Sequence, residues 1–186
     1  MTFLLILLGL VVVFLLYGVT AYNNLVRRKT SVEEGWSGIE TQLKRRANLI
    51  PNLVETVKGY AAHERGTLEE VTSLRAQTLE TQGIAARGQK EGQLSAALGR
   101  LFAVAESYPE LKANDNFLNL QKDLAETEDQ IQMARRYYNG TVRNLNISVD
   151  TFPSNLVASA FSFQKAEFFE IENSADRAVP EVSFNS

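Results

Sequence analysis

His63 and Glu64 form the first half of an H-E-x-x-H zinc motif, in which two histidines one turn apart hold the metal and the glutamate acts as general base. The next residues are Arg65, Gly66 and Thr67, so the second histidine is missing. His63 is also the only histidine in the chain, and there is no cysteine. Zinc hydrolysis therefore fails on ligand count, and no thiolate site or cysteine nucleophile is available. A Ser-His-Asp triad needs one histidine, yet no G-x-S-x-G turn accompanies it. Gly83, Gly88 and Gly92 precede no G-K-[S/T], which removes a phosphate-binding loop. The acid pairs Glu33-Glu34 and Glu69-Glu70 are adjacent, so they diverge on a helix and read as solvated. The expectation is a non-enzyme with no catalytic residue, metal, cofactor or small-molecule substrate, and with His63 on the polar flank of a helix.

The remaining chemistry is charge. A net charge of −3 argues against nucleic acid, which needs a strongly basic face. Two basic clusters stand out. Arg27, Arg28 and Lys29 begin within one or two helical turns of an apolar segment, where each base gains ~1 kcal/mol beside anionic lipid. Lys44, Arg45 and Arg46 stand roughly 35 Å beyond Tyr22 along a straight helix, several Debye lengths of about 8–10 Å. They form either a solvated face or partners for acids on a neighbouring helix or subunit, such as Asp123, Glu126, Glu128 and Asp129.

These clusters are positioned by helices. Residues 1–26 hold no charged side chain, and TFLLILLGLVVVFLLYGVTAY is long enough to cross the ~30 Å hydrocarbon core. A cleavable signal peptide is the rival reading, with V-T-A at 19–21 as a cleavage site. The apolar run exceeds the usual core of about 7–15 residues and no base precedes it, so an uncleaved anchor over 1–22 is expected. The bases that follow it place the N-terminus outside and the remainder in the cytoplasm. On that side the sequons at Asn139 and Asn146 carry no sugar.

From Val32, apolar residues recur at helical spacing through Trp36, Ile39, Leu43, Ala47, Ile50, Val54, Val57, Ala61, Leu68 and Val71. The phase persists through Pro51, and Ile50 would be a poor N-cap, so Pro51 reads as a kink within one helix. A continuous helix from Phe3 to about Glu80 would measure roughly 110 Å and require partners along its stripe. TQGIAARGQKEG, residues 81–92, reads as a loop, followed by a shorter helix bearing Leu94, Leu98, Leu101, Phe102 and Ala105. A long helix over about 114–149 carries Phe117, Leu124, Ile131, Tyr138 and Leu145 at seven-residue spacing, with Phe152 extending the series. Its companion positions, Leu120, Thr127, Ala134, Thr141 and Ser148, are mostly small. After Pro153 a last helix is expected over about 155–169, bearing Leu156, Ala160, Phe163 and Ala166. In the extended tail Val182 and Phe184 alternate with polar residues.

The fold class is all-α: an anchor over 1–22, a helical cytoplasmic domain over 23–169 packed as an antiparallel bundle, and an extended tail over 170–186. The block W-S-x-I-x-x-Q-L-K-R-R-x-N-L-I-P-N-L-V-E-T-V-K-G-Y-A-x-H-E (36–64), with YNNLV (22–26), YPELKAN (108–114), FLNLQ (117–121), ARRYYNGTV (134–142), FP (152–153) and FFE (168–170), resembles the LemA family. The closing Val182-x-Phe184 is also similar. The chain departs from the family pattern at Leu145, where an aromatic is usual, and at Ser162, where a glycine is usual. The resemblance implies a bacterial inner-membrane protein with one anchor and a long helical cytoplasmic part; it implies little about activity, because the family has no established enzymatic function. It also points to membrane proteases or envelope stress as a context. The expected function is a self-associating, non-enzymatic scaffold at the cytoplasmic face of the inner membrane. The alternative is an adaptor or regulator of a membrane protease.

Overall fold

The computed structural model describes residues 1–61 and 63–171. Six helices follow one another: α1 (Thr2–Tyr60), α2 (Arg65–Glu80), α3 (Ile84–Ala105), α4 (Pro109–Lys112), α5 (Asp115–Asp150) and α6 (Ser154–Ala160). No strand occurs among the described residues. The all-α expectation is met. The expected positions of Val182 and Phe184 lie outside the described residues.

The described residues form two compact units, 1–42 with 130–168 and 43–129 with 169–171. In the first, α1 and α5 pack antiparallel. Arg28 Nη1 donates to the Asn144 carbonyl at 3.0 Å, and one helical stretch further along α1 the Trp36 ring lies 5.6 Å from Tyr138. The approach is close because Gly35 has no side chain: a Cβ there would stand 3.2 Å from the Tyr138 Cα. Leu25, Val32, Ile39, Ile131, Tyr138, Val142, Leu145 and Ala158 are buried here. In α1 the side chains of the apolar N-terminal stretch are bare, and the most apolar window has no part buried. This one helix is long and apolar enough to cross a membrane.

In the second unit, the core joins Ile50, Leu53 and Val57 of α1 to Leu68, Val71 and Leu74 of α2. Leu94, Leu98 and Leu101 of α3, Leu111 of α4, and Phe117 and Leu124 of α5 complete it. α2 and α3 form an antiparallel hairpin, tied near its turn by Lys90 to Gln77 (2.8 Å) and further out by Arg100 to Glu70 (2.5 Å).

Three expectations are corrected. The helix does not run to Glu80; it ends at Tyr60, and His63 sits exposed in the turn before α2 rather than on a helix flank. A straight continuation would leave Leu68, Val71 and Leu74 without a core, whereas folding back against α3 buries all three. Residues 84–92 are helix, not loop. Only Gly83, with φ +88°, performs a turn; Gly88 and Gly92 sit one turn apart inside α3. α5 ends at Asp150, close to the expected end, and Phe152, which lies past it, is exposed. Finally, α6 stops at Ala160, and residues 163–171 have no regular secondary structure where a helix to Phe169 was expected.

The α6 end explains itself. The Phe163 N–H donates to the Ala158 carbonyl (2.9 Å) and the Ser162 N–H to Ser159 (3.2 Å), the paired bonds of a Schellman cap. That cap requires a left-handed residue, and Ser162 has φ +56°. Glycine is the residue that adopts this conformation without steric cost, so a serine here carries some strain.

Candidate functional site

The strongest polar constellation is built around Arg46. Lying three residues after Leu43 and four before Ile50, it falls on the buried stripe of α1, and it is 1% exposed. One turn of α3 supplies Glu91 and Ser95, and α5 supplies Glu128. Arg46 Nη2 donates to Glu91 Oε2 at 2.5 Å, and Nη1 donates to Ser95 Oγ at 2.6 Å and to Glu128 Oε2 at 2.7 Å. Glu91 is buried with it, and Arg87, four residues earlier on α3, approaches Glu91 Oε1 at 3.8 Å. Two cations and two anions thus compensate one another among helices α1, α3 and α5. A buried guanidinium needs such partners, since an unpaired charge in a core costs several kcal/mol.

Of the basic cluster 44–46, the fold brings only Arg46 to an acid of the 123–129 group; Lys44 and Arg45 are exposed. Glu126 lies 3.9 Å from Lys122 on its own helix, Asp123 is half-buried, and Asp129 is exposed. Arg27, Arg28 and Lys29 are exposed after the apolar segment, with Lys29 3.9 Å from Glu33.

Pro51 lies inside α1. Its missing N–H leaves the carbonyl of Ala47 without the usual helical donor. Arg75 of α2 fills that role, its Nε donating to Ala47 O at 2.6 Å. The stripe pattern identified the continuity through Pro51, but no sequence signal named Arg75. Glu91, Ser95 and Arg87 were also missed. The i, i+4 spacing of Arg87 and Glu91, and the position of Arg46 on an apolar stripe, were the available clues.

A second constellation holds the segment after α6. In the first unit, the Asn146 side-chain amide makes two bonds to Ala166, donating to its carbonyl (3.0 Å) and accepting from its N–H (2.9 Å), as a neighbouring strand would. The Tyr138 hydroxyl donates to the Glu167 carbonyl at 2.8 Å, and burial, aided by the Glu167 carboxylate, pushes the Tyr138 phenol up to about 12. In the second unit, Phe169 and Ile171 are buried, and the carbonyls of Glu170 and Ile171 lie where a Cβ on Gly88 or Gly92 would stand. The two glycines thus form a notch for the passing backbone. Separately, Tyr108 donates to Glu64 Oε1 at 3.0 Å, which raises its pKa, chiefly through that bond.

Among the described residues no group of three or more acidic, histidine or cysteine side chains is arranged to hold a metal. The charged cluster at Arg46 engages Nη1 and Nη2 of the guanidinium with its own partners, while the Arg46 Nε is buried without a hydrogen-bond partner among the described residues. What it can do is fix the register of three helices.

Residues 35–184 match the LemA family. The chain belongs to that family. It is similar to magnetosome protein MamQ 2 of Paramagnetospirillum magneticum, at 28% identity with 91% of this chain and 72% of the relative covered. MamQ of Magnetospirillum gryphiswaldense is 24% identical, with 85% and 68% covered. Protein LemA of Metamycoplasma hominis is 26% identical, with 80% and 68% covered. None of these names specifies a catalysed reaction. The family signature extends over both units, so membership bears on the packed helices themselves.

Proposed function

We propose that this LemA-family protein is a non-enzymatic scaffold, anchored in the bacterial inner membrane by residues 1–22, that self-associates at the cytoplasmic face. The observation that carries the reading is the unbroken course of α1. The bare apolar segment and the packed face of the first unit share one helix, so the bundle is held by the membrane-crossing element itself and not by a flexible linker. Arg27, Arg28 and Lys29 support an orientation with the N-terminus outside. Self-association is supported by the outer face of α5, where Met133, Tyr137 and Ile147 are each more than half exposed. Lys44 and Arg45, which remain exposed, and Glu126 and Asp129 are the charges assigned to neighbouring subunits, with Val182 and Phe184 as tail contacts.

Light scattering of the detergent-solubilised protein tests this. A particle several times the 20.7 kDa chain mass is expected, and a monomer at all concentrations overturns it. Charge reversal at Lys44 and Arg45 should reduce that mass at low salt, as should deletion of 175–186. The second reading, an adaptor of a membrane protease, rests on the family's associations. A stoichiometric protease recovered with a monomeric chain from native membranes favours it.

A further inference from the structure

The turn after α5 and helix α6 present a surface that the fold does not use. Residues 151–164 contain no charged side chain. The charges that flank them, Asp150 and Lys165, pair with each other at 2.6 Å. Phe152, Leu156 and Phe161 leave 74%, 52% and 61% of their surface exposed. On an ordinary water-facing turn, so large an apolar share with no charge is unusual.

Its place along α1 gives the reason. α1 and α5 run antiparallel, with Gly35 beside Tyr138 and Arg28 bonded to Asn144. About two further turns along each helix bring the end of α5 level with Tyr22, the last residue of the apolar segment. The contacts agree: the Phe161 ring lies 4.8 Å from the Tyr22 ring, and Phe163 lies 5.7 Å from it. Ala21 is buried, so the covering extends into the final turn of the apolar segment. Aromatic residues at this level sit where acyl chains meet headgroups.

The backbone is also prepared for a dry environment. The Schellman cap closes the end of α6, and the Ser154 hydroxyl reaches the carbonyls of Ser148 (2.7 Å) and Thr151 (2.8 Å) at the end of α5. An element entering the interface loses water as a hydrogen-bond partner, so internal satisfaction of this kind is required.

We infer that the α5–α6 turn and α6 dip into the headgroup region of the same bilayer that α1 crosses, with Phe152, Leu156 and Phe161 as the inserted side chains. This rests on α1 being membrane-spanning. It gives the protein a second, shallow membrane contact beside the anchor, which fixes the tilt and rotation of the first unit on the membrane. A single helix alone leaves both free.

The chain has no cysteine, so single labels are straightforward. Leu156→Cys and, as control, the exposed α2 position Glu69→Cys carry an environment-sensitive fluorophore in the full-length protein. The protein is reconstituted in phosphatidylethanolamine–phosphatidylglycerol vesicles and floated. Both variants should float. The label at 156 should emit further to the blue, be quenched by lipids with a shallow nitroxide, and be quenched by aqueous iodide several-fold less than the label at 69. Flotation with equal iodide quenching at both sites overturns the inference and leaves the anchor standing. Failure to float overturns the anchor, and the inference with it. A blue shift that vanishes on dilution into excess lipid, without nitroxide quenching, assigns the surface to a second copy and also overturns the inference.

Discussion

A guanidinium set three residues after Leu43 and four before Ile50 cannot avoid the core of α1, and the structure answers with Glu91, Ser95 and Glu128. Arg46→Ala should cost about 3–5 kcal/mol in urea unfolding, because Glu91 is then left buried opposite a void. Replacing Arg46 and Glu91 together by Leu should cost much less. Equal losses for the single and double variants would show that packing, not charge compensation, holds the site. Ser162 carries a smaller strain. Ser162→Gly should raise stability by about 0.5–1 kcal/mol, since a left-handed φ of +56° suits glycine; an unchanged melting temperature refutes the strain. Tyr138 supplies a pH dependence. Its phenol ionises near 12 in the folded chain and near 10 when unfolded. Above pH 10 the unfolded chain binds fewer protons, so the stability contributed by Tyr138 is complete below pH 10 and falls as pH rises toward 12. Tyr138→Phe should remove that alkaline component while losing about 1 kcal/mol at neutral pH with the bond to Glu167.

At the scale of elements, two arrangements tie helices to irregular backbone. Gly88 and Gly92 let the segment around Glu170 and Ile171 lie directly on α3. Gly88→Ala and Gly92→Ala should each cost about 1–3 kcal/mol, because the opposing atoms are backbone carbonyls that cannot rotate aside. Faster proteolysis near residue 170 would report the release. Arg75→Ala strips the donor from the Ala47 carbonyl and should cost about 1–3 kcal/mol. Coupling to Pro51 is testable in the double variant with Pro51→Ala, in which a restored helical N–H should offset part of that loss. The glycines at 83, 88 and 92 illustrate why sequence reading faltered here. Composition reports that glycine is present, but turn formation and close packing demand the same residue. Only a neighbour, here the segment after α6, distinguishes them.

For the whole molecule, the apolar segment and the heptad of α5 lead to the same coarse description: a helical protein with one helix long and apolar enough to cross a membrane. The family membership fits that description without adding a reaction. Deleting residues 1–22 should leave a chain that no longer floats with vesicles yet keeps its helical circular dichroism. Loss of helicity on that deletion would mean that the apolar turns of α1 also support the bundle.

The sequence alone determined what depends on local periodicity. The helical class, the uncharged first segment, the passage through Pro51 and the burial of Phe117, Leu124, Ile131, Tyr138 and Leu145 are properties of spacing along one chain. Spacing survives whatever the neighbours are. The tertiary structure decided where helices stop and which charges meet. α1 ends at Tyr60 because α2 finds its core against α3, and α6 ends at Ala160 in a cap that a serine completes. Arg46 is buried, and Lys44 and Arg45 are not, because one side of α1 faces Glu91 and Glu128. Those outcomes depend on residues tens of positions away, whose proximity no pattern along the chain encodes.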